Sequence, residues 1–202
     1  MHKPKRPKFE RDDKEWYLSK QGQAMLDEVR PEGERGRILI AVAFLDNGLR
    51  ECLRLRFGKH IIDEGLVDHL LDEDRQMLAT FGARIQLCRA LSLISYEDYC
   101  ALEAMRLIRN ALAHEGFLVP LSRQEFQSCN ACLAAYVTSR ACGLQFADGG
   151  NPWPRVFQLK GILLPDAAHE MFLSAAMDLM SRIASVCYEL SGNSEQYSQA
   201  VF

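Results

Sequence analysis

The residues best suited to chemistry lie in one short run, Arg109-Asn110-Ala111-Leu112-Ala113-His114. A neutral imidazole acts as a general base and an imidazolium as a general acid or anion binder, so His114 can do either near neutral pH. A guanidinium on the same surface can hold a phosphate and stabilise charge building on it. His114 stands four residues after Asn110, and on a helix two such side chains point the same way. Arg109, Asn110 and His114 therefore suffice in principle for metal-independent RNA cleavage, in which the 2′-OH is the nucleophile. The plainer alternative makes His114 a last-turn histidine bonded to a carbonyl, where the helix dipole favours its charged form.

On a helical wheel, Leu102, Met105, Ile108 and Leu112 fall on one side, and Glu103, Arg106, Asn110 and His114 form a separate polar stripe. Arg109 lies at the border between the two. A buried, unpaired guanidinium is costly, so Arg109 at that border needs a partner. Asp46 directly follows the apolar run Ile38 to Leu45 and is hard to place in solvent while that run is buried. The expectation is that Asp46 pairs with Arg109 or Arg84, with Asn47 adding hydrogen bonds. Such a pair either supports a site or only locks two helices together.

The elements that must position these residues are helical, because apolar residues recur at helical spacing and no alternating strand pattern appears. The spacing predicts a helix from about Asp13 to Val29, stopping before Pro31, and a central one from about Glu34 to Phe57, closed by Gly58. A short helix is predicted within Asp63 to Arg75. Thr80 caps the next, and Ser95 with Asp98 resembles a capping box that opens the helix ending at His114 or Glu115. Ser122 with Glu125 opens another to about Arg140, and Asp166 caps a last one to about Leu190. The fold class is an all-α, single-domain bundle of about six to eight helices, with one irregular insert near residues 143–165. Residues 1–12 read as a flexible basic tail and 13–202 as the one helical domain.

Composition narrows the function classes. The chain has 202 residues, 48% of them hydrophobic, enough for one well-buried core. A net charge of −3 disfavours extensive duplex DNA binding, which usually calls for a basic surface. The longest apolar run falls far short of the ~20 residues that span a bilayer, and no apolar segment follows the basic start as in a signal peptide. Seven cysteines, an odd number at apolar helical positions, suit reduced thiols and a cytoplasmic location. Cys129 and Cys132 lack the partners of a zinc site, and His60, His69 and His169 show no metal spacing. Gly149-Gly150 lacks the Lys-Ser/Thr of a phosphate loop. Trp153, between two prolines, is either an exposed binding element or a lid on the core. Neither a metal nor a cofactor is expected.

Arg109-Asn110 followed by His114 resembles the Arg-(polar)-x-x-x-His motif of the HEPN superfamily. That resemblance implies a small helical, often dimeric domain whose paired Arg and His residues cleave or bind RNA. Three blocks in order are similar to the MltR (mannitol operon repressor-like) family: Arg35-Gly36 with Ala43-Phe44-Leu45-Asp46-Asn47, then Phe81-Gly82-Ala83-Arg84-Ile85, then Ile108-Arg109-Asn110 with Ala113-His114. The match covers roughly residues 34 to 140. It implies an all-helical, homodimeric transcriptional regulator that lacks a helix-turn-helix and acts by protein or nucleic-acid contacts, and is not an enzyme. The alternative is a metal-independent endoribonuclease or RNA-binding domain built on Arg109, Asn110 and His114, supported by Asp46, Asn47, Arg84, Glu103 and Arg106.

Overall fold

The structure is a computed structural model that describes residues 24–25, 27–58, 64–72, 78–114, 126–142 and 165–192. Among these residues the protein is all-α. A helical piece at 27–29 precedes six longer helices: α1 (Glu34–Gly58), α2 (Glu64–Asp72), α3 (Phe81–Ala90), α4 (Tyr96–His114), α5 (Gln127–Cys142) and α6 (Pro165–Gly192). The basic tail, the Ser122–Glu125 capping box, the 143–164 segment with Trp153 and the remaining termini lie outside the described residues. The last helix starts at Pro165, one residue before the expected Asp166 cap, and a proline suits a first helical turn because its missing N–H has no intrahelical partner there.

α1 is the centre of the bundle and packs against α2, α3, α4 and α6, most extensively against α6. Its buried residues Ile38, Ala41, Val42, Leu45, Leu49, Cys52 and Leu53 recur at helical spacing. A Cβ on Gly48 would sit 2.8 Å from the Ile183 Cγ2 methyl, so glycine sets how closely α1 and α6 approach. Between the same helices the thiols of Cys52 and Cys187 share a hydrogen bond at 3.0 Å. The six described cysteines that have side-chain detail are free and buried. Burial pushes the Cys129 thiol up to about 11 and the Cys132 thiol to about 12, so both stay protonated and packed in α5.

Local signals place the helix starts. Thr80 Oγ1 accepts from the Ala83 N–H at 3.2 Å and caps α3. At α4, Ser95 Oγ accepts from the Asp98 N–H at 3.2 Å while Asp98 Oδ2 accepts from the Ser95 N–H at 3.1 Å, the reciprocal capping box. On α4, Leu102, Met105, Ile108 and Leu112 are all buried. The apolar stripe therefore fixes which way the polar residues of this helix face.

Candidate functional site

Two polar assemblies sit on α4, one at each end. Toward the C-terminal end, Arg109 is exposed and its Nη1 donates to Asn110 Oδ1 at 3.1 Å. Leu107 is 43% exposed and stands three residues before Asn110, about 160° round the helix from Arg109. One turn earlier Arg106 donates to Glu103 Oε2 from Nε at 3.0 Å and from Nη2 at 2.8 Å. A Cβ on Gly82 would lie 3.2 Å from Arg106 Cδ, so the glycine of α3 makes room for the arginine stem. Glu103 Oε1 is buried and has no hydrogen-bond partner among the described residues. The His114 side chain lies outside the described atoms.

The expected partner of Asp46 proves to be Arg84. Its Nη1 donates to Asp46 Oδ1 at 2.6 Å, Nη2 to the Leu71 carbonyl at 2.6 Å, and Nε to the Leu78 carbonyl at 2.9 Å. The Arg84 side chain is 7% exposed against 29% for Asp46. A planar guanidinium with donors on several edges thus ties α1 to the C-terminal turn of α2 and the approach to α3. Of the two arginines expected for Asp46 it is Arg84, on the helix facing α1, that reaches it, while Arg109, expected at the core boundary, is exposed. Asn47 is exposed and makes no bond to this pair among the described residues.

The second assembly, at the N-terminal end of α4, was not foreseen. Asp98 is buried, yet it is far more than a cap. Its Oδ1 accepts from the Tyr136 hydroxyl of α5 at 2.9 Å, and the same hydroxyl lies 2.7 Å from Asp178 Oδ2 of α6. A phenol has one proton to give, so it serves one carboxylate at a time. Arg182 Nη2 donates to Asp98 Oδ2 at 3.0 Å, while Nε approaches Oδ1 to 2.8 Å at an angle too poor for a hydrogen bond. The ion pair therefore rests chiefly on Nη2. Burial acts to raise the Asp98 carboxyl, but the Ser95 hydroxyl and the Arg182 guanidinium outweigh it, and the net shift is downward. Burial, followed by the Asp98 and Asp178 carboxylates, drives the Tyr136 phenol upward. One sequence signal pointed here: Asp178 and Arg182 are the only charges on α6 between Glu170 and Glu189.

Among the described residues no group of three or more metal-ligating side chains forms, and no helix is long and apolar enough to cross a membrane. The described residues form an all-helical bundle with Arg109 exposed on α4, over a core that buried Arg84 ties from within. No family model matches the chain. No curated protein matches it either. In three dimensions it is similar to a chain of the MtlR–HPr complex from Escherichia coli, with a TM-score of 0.54 at 16% identity, covering 82% of this chain and 99% of that one. At that identity the likeness is one of fold.

Proposed function

We propose that this chain is a regulator-like helical protein that acts by protein contact, through the C-terminal half of α4, which bears Leu107, Arg109 and Asn110. The observation that carries the reading is the exposure of Arg109 on α4, since Arg84 already supplies the guanidinium that Asp46 needs. Arginine is among the residues that protein interfaces favour. The similar fold in Escherichia coli occurs in a complex with HPr, which supports a protein partner for this one. Regulation of transcription would then be indirect, by sequestering or presenting that partner, and the proposed assembly is a homodimer. Binding to the HPr of the same organism, measured by biolayer interferometry, is the direct test. Wild type should bind and a Leu107→Glu/Arg109→Glu variant of equal helicity should not. Equal binding by both would remove this part of α4 from the function.

A second reading takes the same exposure as access for RNA, with Arg109 holding a phosphate, Asn110 orienting it and His114 as acid or base. It is tested by RNA cleavage with wild type and His114→Ala at matched folded concentration. Equal background in the two removes the nuclease.

A further inference from the structure

A cleft of about 460 Å³ opens between the turn joining α3 to α4 and the outer side of α6, within the range of roughly 300–1,000 Å³ typical of small-molecule sites. Its polar lining comes from Arg89 and Ser92 at the end of α3, Ser95 at the start of α4, and Arg182, Ser185 and Glu189 along α6. Val186 supplies the accessible part of the apolar wall, with buried Ile94 and Leu179 behind it.

The backbone at the lip of this cleft is strained. α3 ends in a Schellman turn, with the Leu93 N–H donating to the Cys88 carbonyl at 2.9 Å and the Ser92 N–H to the Arg89 carbonyl at 3.0 Å. The residue that must turn left-handed there is usually glycine, yet here it is Ser92, at φ 55°. A hydroxyl is thus held at the lip in a conformation that glycine would adopt without strain.

The charges are balanced and spread apart. Arg89 and Arg182 face Asp98 and Glu189, two of each sign, so a phosphate dianion gains no net attraction from the cleft as a whole. Glu189 follows Arg182 by seven residues, two turns along α6, or roughly 10 Å of rise at ~1.5 Å per residue. Asp98 accepts from Nη2 of Arg182 and lies 2.8 Å from its Nε without a hydrogen bond there, and Nη1 carries no hydrogen bond among the described residues. Arg89 is held in place by the Tyr96 ring, 5.6 Å away, and by donation from Nη1 to the Ile94 carbonyl at 3.4 Å. Two anchored guanidinium groups, a carboxylate farther along the wall and an apolar surface make a complement to a molecule with both charges and a short carbon skeleton.

We propose that this cleft binds a small zwitterion of the amino-acid type, its carboxylate at Arg89 and Arg182, its ammonium at Glu189 and its carbon skeleton against Val186. The site is separate from the C-terminal half of α4, so its failure leaves the protein-contact reading intact. Isothermal titration calorimetry of the full chain against each standard amino acid tests it, with inorganic phosphate and a primary alkylamine as probes of one charge at a time. At least one amino acid should bind saturably, and Glu189→Gln and Arg89→Gln should each weaken it about tenfold or more. Phosphate and the amine should bind far more weakly than the amino acid. Ser92→Gly should raise Tm while weakening binding, a combination that a merely structural serine does not produce. Circular dichroism melts establish that each variant is folded, with Arg89→Lys replacing Arg89→Gln if the latter is not. The proposal is overturned if no amino acid binds, if phosphate alone binds as tightly, or if binding is indifferent to both charge-removing variants.

Discussion

The two ends of α4 use the same kinds of side chain in opposite ways. At the C-terminal end Arg109 and Asn110 are neighbours in sequence and bonded to each other, the arginine exposed and the asparagine half-buried. At the N-terminal end Asp98 is buried and bonded to residues 38 and 84 positions away. The first end can be removed without opening the bundle, whereas the second is woven into it. Chemistry that meets a partner is therefore expected at the first end, and polar groups that specify the packing of α4, α5 and α6 at the second. The contrast also shows how a conspicuous motif can be peripheral to the scaffold while an ordinary helix cap is at its heart.

The contrast is most sharply broken by Asp98→Ala, which strips the capping box and leaves Tyr136 and Arg182 without their shared acceptor. Removing one member of a buried charged network costs about 3–5 kcal/mol, readable by urea denaturation; a loss near zero would mean that this end is no more structural than the other. Arg84→Met should follow, at about 3 kcal/mol, because the Leu71 and Leu78 carbonyls and Asp46 all lose their donor. A third test is acid. Because the folded Asp98 carboxyl titrates below its ordinary value, its contribution is complete above the unfolded pKa of about 4 and is lost as pH falls through the folded value. The stability gap between wild type and Asp98→Asn should thus be widest near neutral pH and close in acid, and a gap independent of pH would sink the assignment. The smallest effect belongs to Arg109→Ala, which should change stability by about 0.5 kcal/mol or less while reducing partner binding. A loss of several kcal/mol in a thermal melt would return Arg109 to the scaffold.

Much of the local structure was legible in the sequence for clear reasons. Thr80 and the Ser95–Asp98 box are contacts between residues three apart, and the stripe Leu102, Met105, Ile108 and Leu112 is a property of helical pitch. Arg109 was harder, because a wheel places a side chain only to within a helix border and cannot say which neighbouring helix covers that border. The choice between Arg84 and Arg109 as partner for Asp46 stayed open in the sequence for that reason. Tyr136 gave no sign of its role, since a tyrosine among apolar residues has the same pattern whether or not its hydroxyl meets two carboxylates.

The sequence by itself thus determined an all-α chain, the caps that start α3 and α4, and the inward face of α4. Those features depend on backbone propensity and on side chains within a turn or two of one another. Only the tertiary structure decided that Arg109 is exposed rather than part of a buried latch, that Arg84 holds Asp46, and that Asp98 joins three helices. These outcomes depend on which helices pack together, and that is settled by the burial of the whole core and not by any one segment.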